Sequence, residues 1–231
     1  MSTSWDSEYQ KRGIPSSFRS EPSGVLLWAL ANWRFLDNCD VPQYALDVGC
    51  GTGRNALYMS AQGINVLGFD SSEKAIALAS KANIHSNAAR TPTFFQHDLT
   101  SGIPAPDSRF DLITDIFVYK HQIDPIARGE YLTELYRVLS PSGHLLLSLA
   151  ELKDGYYSAC PHVKGLENQD LLVILDPIAN VHSVLFSLEQ LKNELSKYFE
   201  MEMSWYKIKP GLMHGTEYER HTLGTIWRPK K

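Results

Sequence analysis

The chain is poor in cysteine, has no long hydrophobic run and carries no excess of positive charge. Only Cys39, Cys50 and Cys160 occur among 231 residues, without the spacing of metal ligands. Because an odd number cannot pair fully within one chain, we expect reduced thiols, a reducing compartment and no metal site. The apolar run 25–31 is too short to span a bilayer. The polar start lacks the order of a signal peptide, so we expect a cytoplasmic protein without membrane attachment.

The charge balance bears on the kind of partner. The net charge is −4, and the one dense basic cluster is the short stretch 228–231. Proteins that bind nucleic acid normally show a basic face or stripe. We therefore expect a small-molecule partner and no nucleic acid, while the pattern leaves the oligomeric state open.

Apolar periodicity predicts strands and helices that alternate along most of the chain. The predicted strands are residues 44–48, 65–69, 93–96, 110–116, 144–149, 200–208 and 218–227. The predicted helices are residues 24–36, a stretch that follows the glycines and reaches 62, then 72–87, 125–139 and 187–197. Residues 150–180 are expected to be irregular.

This alternation predicts an α/β fold, a Rossmann-like doubly wound sheet of seven strands that are mostly parallel. The last two predicted strands have no helix between them, so we expect them to pair as a C-terminal antiparallel β-hairpin. The length fits one domain better than two.

A glycine-rich loop directly follows the first predicted strand. Gly49, Gly51 and Gly53 lack the β-carbons that would hinder a sharp turn or a ligand close to the main chain. Ligands of open α/β sheets bind at the carboxyl ends of strands, where this loop lies. Its G-x-G-x-G spacing differs from the G-x-G-x-x-G of dinucleotide-binding folds. Asp47 would suit phosphates poorly, so a nucleoside with a cationic amino group fits better.

Two further carboxylates follow the next two predicted strands. Asp70 can accept hydrogen bonds from both hydroxyls of a ribose. Asp98 can accept from an adenine amino group, with the Leu99 backbone alongside. Each acid alone is explained as well by a solvated loop or a helix cap. Together with the glycine loop, they predict sites for ammonium, ribose and adenine in that order.

With these residues the chain resembles the class I S-adenosylmethionine-dependent methyltransferases over roughly residues 40–150. The resemblance implies that S-adenosylmethionine is the cofactor and is held by the matching positions Asp47, Gly49, Gly51, Asp70 and Asp98. We expect neighbouring positions to complete the cofactor site, namely Cys50, Gly53, Ser71, Leu99 and Asp115.

The opening stretch, residues 5–15, is similar to the start of tellurite-resistance and thiopurine methyltransferase-like members, whose amino-terminal segment covers the cofactor. Trp5 and Tyr9 are therefore predicted to face the sulfonium or the adenine, although a simple hydrophobic plug explains them equally well. We divide the single domain 1–231 into a helical lid (1–40), a cofactor-binding core (41–150) and a substrate-side loop, helix and hairpin (151–231).

Candidate catalytic residues follow the fourth predicted strand, where the chain enters the cleft. His121 can deprotonate an acceptor, since its ordinary pKa lies near neutrality. Tyr119 and Lys120 can orient the acceptor by hydrogen bonding. It is equally consistent with the sequence that His121 packs at the strand–helix junction and that Asp115 is a buried structural acid.

A second wall of the cleft is expected from the region after the fifth predicted strand, because long loops within a compact domain often carry function. The predicted substrate-binding residues are Tyr156, Tyr157, His162 and His214. Their aromatic character suits an aromatic or heteroaromatic acceptor. Ordinary packing of the two tyrosines is the competing explanation.

The predicted function is methyl transfer from S-adenosylmethionine to an oxygen, nitrogen or sulfur atom of a small molecule. A protein-directed methyltransferase shares the cofactor half of this pattern. A non-catalytic S-adenosylmethionine-binding regulatory protein is a second alternative, and a dinucleotide-dependent oxidoreductase is a third, disfavoured by the glycine spacing.

Overall fold

A computed structural model of the chain describes residues 4–11, 18–36, 41–84, 89–164 and 171–230. Three features of the sequence lie outside the described residues. They are Cys39, positions 12–15 of the amino-terminal similarity, and the end of the predicted helix 72–87 beyond residue 84.

A seven-stranded sheet forms the centre of the molecule. The strands of the chain are β1 (Tyr44–Val48), β2 (Asn65–Asp70), β3 (Thr93–Gln96), β4 (Phe110–Ile116), β5 (Leu139–Ala150), β6 (Leu172–Asp176), β7 (Val181–Leu185), β8 (Phe199–Met213) and β9 (Thr216–Pro229). The sheet order is β3-β2-β1-β4-β5-β9-β8. Strands β1 to β5 run parallel, and β9 lies antiparallel to both β5 and β8. The predicted doubly wound sheet and its terminal hairpin are thus confirmed.

Six α-helices connect or flank the strands of the described chain. They are α1 (Ser4–Lys11), α2 (Gly24–Ala31), α3 (Arg54–Ala61), α4 (Glu73–Ile84), α5 (Pro125–Val138) and α6 (Leu188–Leu195). Their starts follow from the sequence: Ser187 and Gln190 form the predicted capping box of α6, and Asp124 caps α5 ahead of a proline at its first position. The predicted helix 24–36 ends at Ala31 and continues only as a short 3₁₀ turn.

The sheet is covered on both faces, which explains the continuous apolar runs of its central strands. Along β5, Leu145 and Leu147 belong to one apolar cluster and Leu146 to another, since successive side chains point to opposite faces. The first cluster is closed by α5 and α6, including Leu135. The second is closed by α2 and α3, including Leu26.

The prediction that residues 150–180 are irregular is wrong for part of that stretch. The apolar run Leu172–Asp176 pairs antiparallel with Val181–Leu185 as a separate two-stranded hairpin, β6–β7. The terminal hairpin is also longer than predicted, because 209–213 continue β8 as far as a tight turn at His214 and Gly215. Pro210 does not end the strand, since β8 lies at the sheet edge, where a missing N–H is tolerated.

Within the described ranges, no helix combines the length and the apolar character needed to cross a membrane.

Candidate active site

A cavity of about 620 Å³ opens at the carboxyl ends of β1, β2 and β4. One side is formed by the glycine loop and the ends of β2 and β3, and the other by the turn after β4 and the inner face of the β8–β9 hairpin. Helix α1 and the segment before α2 close it from above. Twelve predicted site residues line it: Trp5, Tyr9, Gly49, Cys50, Gly51, Asp70, Ser71, Asp98, Leu99, Lys120, His121 and Tyr157.

The glycine loop has the backbone that only glycine adopts without strain. Gly49 and Gly51 have φ angles of 57° and 56°, in the left-handed region. A β-carbon on Gly49 would lie 2.4 Å from the Val118 side chain, and one on Gly51 would lie 2.6 Å from the Tyr9 hydroxyl. The loop is therefore packed so closely that its main chain itself forms the cavity wall. Gly53, also left-handed, begins α3 and does not line the cavity.

Asp47 lies beneath the loop rather than in the cavity wall. Its Oδ1 accepts a hydrogen bond of 2.7 Å from the Thr114 hydroxyl, while Oδ2 is buried without a hydrogen-bond partner of normal geometry among the described residues. Burial raises the pKa of this carboxyl to about 6, and the Thr114 hydrogen bond opposes that rise. An acid buried at this cost, with one oxygen unused, is expected at a site that receives a positive charge.

Asp70 and Asp98 lie at the ends of adjacent strands, as predicted, and both line the cavity. The two oxygens of Asp70 accept from the backbone N–H groups of Gly51 and Ser72, each at 2.9 Å. Asp70 thereby ties the glycine loop to the start of α4, and its burial raises its pKa. Asp98 is exposed and uses Oδ1 to cap the short turn at Thr100, which leaves Oδ2 without a hydrogen bond among the described residues.

Helix α1 lies over the cavity and is fixed to the core by specific contacts. The buried Asp6 accepts a 2.6 Å hydrogen bond from the Ser72 hydroxyl at the start of α4. Trp5 packs edge-on against the His121 ring, with 5.0 Å between the ring centroids. The Tyr9 hydroxyl lies above Gly51. Helix α1 thus contacts the glycine loop and α4 on one side of the cavity and His121 on the other.

The turn after β4 carries the strongest backbone strain around the cavity. Phe117 has a φ of 69°, unusual for an aromatic residue and costing about 1–3 kcal/mol. Asp115 stabilises this turn, since its Oδ1 accepts from the N–H groups of Val118 and Tyr119 and its Oδ2 accepts from the Tyr131 hydroxyl. Asp115 itself is fully buried and does not line the cavity. The contacts of Asp115 thus fix the turn from which Lys120 and His121 line the cavity.

His121 is held in one tautomer. Its Nδ1 lies 2.8 Å from the His182 carbonyl oxygen, which can only accept, so Nδ1 carries the proton. The Nε2 atom is then a hydrogen-bond acceptor, and it has no partner among the described residues. Burial, and then the nearby charge of Lys120, lower the pKa of His121 to about 3. At neutral pH this side chain is an uncharged acceptor on the cavity wall.

Lys120 is 1% exposed, and its Nζ has no hydrogen-bond partner in the described part of the chain. The Nζ lies 3.5 Å from the centroid of the Tyr157 ring, so the aromatic face replaces water as its neighbour. Burial lowers the pKa of Lys120 to about 7, and the charge of Asp154 partly opposes this effect. A buried, unpartnered amine on a cavity wall is a feature of functional sites.

Other predicted site residues lie away from the cavity. The Tyr119 hydroxyl donates to Glu194 in the core, and Tyr156 donates to Asp176 at 2.9 Å. His214, at the tip of the terminal hairpin, also contacts Asp176, at 3.2 Å. His162 is exposed, in a bridge to β6. Their predicted contacts with an acceptor thus have no support in the geometry, because none of them lines the cavity.

The sequence interpretation missed several residues of the cavity wall. Lys207 and Lys209 line it from β8, and Thr222 lines it from β9 beside Arg220, which the sequence had already placed near the hairpin loop. Alternation along β8 was the available signal, since residues two apart share one face of a strand. The segment before α2, including Arg19, had no such signal because it is neither strand nor helix. Among the described residues no three potential ligands come together as a metal site.

Fold and cavity together define the class of protein. A parallel sheet in the order β3-β2-β1-β4-β5, an antiparallel terminal hairpin, a left-handed G-x-G-x-G loop and acids at the ends of β1, β2 and β3 are the features of a class I S-adenosylmethionine-dependent methyltransferase domain. Comparison with known proteins agrees: residues 45–143 match the family described as methyltransferase domain. Over residues 45–143 the chain is thus similar to a methyltransferase domain, and the sheet and cavity have the features expected of the class I type.

Individual relatives cover part of the chain. It is 31% identical over 103 residues to the ubiquinone biosynthesis O-methyltransferase of Dinoroseobacter shibae, a match that covers 45% of this chain and 39% of that protein. It is 32% identical over 110 residues to thiocyanate methyltransferase 1 of Arabidopsis thaliana, covering 48% of this chain and 47% of the relative. The matched stretch spans less than half the length of these curated relatives.

A solved structure resembles nearly the whole fold. The Burkholderia thailandensis 1,6-didemethyltoxoflavin-N1-methyltransferase, with bound 1,6-didemethyltoxoflavin and S-adenosylhomocysteine, aligns with a TM-score of 0.69 at 19% identity. The alignment covers 98% of this chain and 86% of that one. The similarity therefore extends beyond the family match to the lid and the terminal hairpin, as a similarity of fold.

Proposed function

We propose that this protein transfers a methyl group from S-adenosylmethionine to an oxygen, nitrogen or sulfur atom of a small molecule. The observation that carries the proposal is one cavity with two chemically distinct sides. One side has the left-handed glycine loop with Asp70 and Asp98, and the other has the strained β4 turn with Lys120 and His121.

The residues of the first side fit the cofactor. The positive φ angles of Gly49 and Gly51 leave the loop main chain open to a ligand at close range. The unused Oδ2 of Asp47 beneath the loop supplies negative charge for an ammonium group, through the loop or a water. Asp70 and Asp98 lie in the cavity wall where ribose and adenine are expected, with Ser71, Leu99 and Cys50 beside them.

When bound, S-adenosylmethionine supplies a methyl group that its sulfonium has already activated. The remaining work of the chain is to hold the acceptor in line and to exclude water. Helix α1 and the terminal hairpin cover part of the cavity. The Trp5 ring of α1 packs against His121 in the turn after β4.

Two residues of the β4 turn can handle an acceptor proton. The Nε2 of His121 can accept a hydrogen bond from an acceptor O–H, N–H or S–H and so orient it. A pKa of about 3 makes it a weak base, whereas Lys120, with a pKa of about 7, is suited to remove a proton near neutrality. Lys120 and the Tyr157 ring on which its Nζ lies both line the cavity that the acceptor would enter.

The acceptor class is supported from two directions. Relatives are named for methylation in ubiquinone biosynthesis and of thiocyanate, and the structural neighbour holds a heteroaromatic compound. A cavity of about 620 Å³, partly covered by α1 and the terminal hairpin, suits a small acceptor better than a protein side chain, which is the alternative. Nucleic acid stays disfavoured by the charge balance, and a cytoplasmic location stays a prediction from the cysteine content.

Titration calorimetry with S-adenosylmethionine and S-adenosylhomocysteine tests the cofactor half. We expect binding by the unaltered protein, and a loss of about tenfold or more for Asp70→Asn, since a charged acceptor of hydrogen bonds becomes neutral. Asp107→Asn, at an exposed site outside the cavity, is the matched control.

Turnover is then measured as S-adenosylhomocysteine formed with thiols, phenols, heteroaromatic amines and thiocyanate as acceptors. No affinity for either cofactor form, or equal affinity in Asp70→Asn and the unaltered protein, would refute the proposal. Binding without turnover of any small acceptor, together with turnover of a protein substrate, would favour the protein-directed alternative.

A further inference from the structure

The inner face of the terminal hairpin carries a dense positive charge. Lys207 lies opposite Thr222 in the β8–β9 register, and Lys209 lies opposite Arg220. All four residues line the cavity. Cross-strand partners in an antiparallel ladder lie side by side, so Lys209 and Arg220 project together from one wall.

This arrangement is unfavourable without a ligand. Like charges directly opposite each other destabilise an antiparallel pair. Arg220 is partly compensated, because its Nε binds Asp154 at 2.8 Å, but its terminal nitrogens make no hydrogen bond within the described residues. Neither Lys207 nor Lys209 has an ion pair or hydrogen bond from its ammonium there.

Cationic side chains outnumber acidic ones in the cavity wall, although the chain as a whole is acidic. Its walls hold six cationic side chains, namely Arg19, Arg54, Lys120, Lys207, Lys209 and Arg220. They hold only three acids, namely Glu21, Asp70 and Asp98. Asp70 and Asp98 belong to the proposed cofactor side and Glu21 to the segment before α2, so the residues of the terminal hairpin that line the cavity include cations and no acid. The protein itself has a net charge of −4, which makes this concentration of positive charge a local feature.

The unpartnered amine of Lys120 belongs to the same wall. Tyr157 lies between two cations, with the Lys120 Nζ 3.5 Å and the Arg220 Cζ 5.3 Å from its ring centroid. An aromatic ring stabilises such cations only in part. A ligand that brings negative charge to Tyr157 would meet both.

We propose that the methyl acceptor is a small molecule that is negatively charged at neutral pH, and that the Lys209–Arg220 pair receives its charge. This inference rests on the proposed methyl transfer and narrows its substrate class. The charge is either a separate carboxylate or the nucleophilic atom itself, as in a thiolate or phenolate. In both cases the positive wall concentrates the acceptor and excludes neutral analogues.

Binding is measured on the protein saturated with S-adenosylhomocysteine, so that the readout does not depend on turnover. The probes are a matched pair, 4-hydroxybenzoate with 4-hydroxybenzamide, which differ in the charge of the group para to the hydroxyl. Thiocyanate is added as an anion whose charge lies on the nucleophile. We expect a charged probe to bind about tenfold tighter than its neutral twin, with an affinity that falls as salt is raised.

Three variants assign that preference to the hairpin. Lys209→Gln is expected to reduce affinity for the charged probe about fivefold to tenfold and to leave the neutral twin unchanged. Lys209→Arg keeps the charge and is expected to retain the preference. Lys81→Gln removes an exposed lysine of α4 outside the cavity and is the matched control.

The outcomes separate this inference from the proposal on which it rests. If S-adenosylhomocysteine does not bind, both fall. If it binds, but the charged probe binds no more tightly than its neutral twin and thiocyanate does not bind, the charged-acceptor inference is wrong and methyl transfer still stands. A preference that persists undiminished in Lys209→Gln would equally overturn the role of the hairpin pair.

Discussion

Replacing Lys120 with methionine is expected to stabilise the fold and to impair the reaction. Methionine keeps the unbranched chain and most of the volume but removes the amine. The wild-type amine is 1% exposed, lacks a hydrogen bond and has a pKa lowered to about 7 by burial. In the unfolded chain the pKa of this amine is 10.5. As the pH falls, the amine is therefore protonated in the unfolded state before it is protonated in the folded state, which stabilises the unfolded state.

The size and the sign of the effect follow from those two pKa values. Between pH 7 and pH 10.5 the unfolded state binds more protons than the folded state, so stability of the wild type rises with pH. At pH 7 the amine lowers the free energy of unfolding by about 4 kcal/mol, and at pH 9 by about 2 kcal/mol. The advantage of Lys120→Met over the wild type should therefore shrink by about 2 kcal/mol from pH 7 to pH 9.

Denaturant unfolding at pH 7, 8 and 9 measures this difference directly. Lys81→Met, at an exposed position outside the cavity, provides the background for the loss of a lysine. The same preparations are assayed for turnover, which should fall in Lys120→Met while cofactor affinity is kept. A difference in stability that does not change with pH, or a variant less stable than the wild type at pH 7, would refute the account of a desolvated amine.

Three further changes test other parts of the cavity. Trp5→Ala should weaken S-adenosylmethionine about threefold to tenfold by calorimetry, since the lid loses its ring contact with the catalytic turn; unchanged affinity would contradict a lid. Gly49→Ala should lower the free energy of unfolding by about 2 kcal/mol or more, because a left-handed φ and a 2.4 Å contact both oppose a β-carbon, and Val118→Ala should restore part of it in denaturant titrations. Thr114→Val removes a hydrogen bond that lowers the pKa of Asp47, so the pKa of this carboxyl should rise further. On acidification, cofactor affinity should therefore begin to fall at a higher pH than in the wild type. Superimposable pH profiles would contradict this.

The fold could be predicted wherever local pattern and tertiary position agree. Strands β1, β3 and β4 have the predicted bounds, because each is a short apolar run between turn residues. Strands β1 and β4 are also buried between two layers, whereas β3 is a partly exposed edge strand. The hairpin β6–β7 was missed although Leu172–Asp176 is as apolar as a core strand. Its pairing with Val181–Leu185 is a tertiary feature that the apolar run alone does not indicate. Pro210 and Gly211 hid the extent of β8 for a related reason, because only the edge position of the strand makes them tolerable.

The candidate site was predictable for residues that follow strands and not for residues that reach it from elsewhere. Asp70, Asp98 and His121 lie at the cavity because strand ends meet at one edge of a parallel sheet. His214 and Tyr156 were expected there because they lie in long connecting segments and have suitable side chains, yet Asp176 binds both in a separate cluster. Residue type and membership of a long segment therefore gave less information than a position directly after a parallel strand.

Several exceptions to ordinary stability rules lie on the acceptor side of the cavity. A buried charge away from the cavity, that of Arg128, is instead paired with Glu194 at 2.7 Å. On the acceptor side, Phe117 has a strained backbone, Lys120 is buried without a partner, and Lys209 lies opposite Arg220. Each of these costs stability, and the folded chain compensates for them only in part, through Asp115 at the turn, Tyr157 beside Lys120 and Asp154 beside Arg220. Natural proteins break such rules mainly at functional sites, where a bound ligand can offset the loss of stability. We therefore expect the acceptor side of the cavity to select the acceptor.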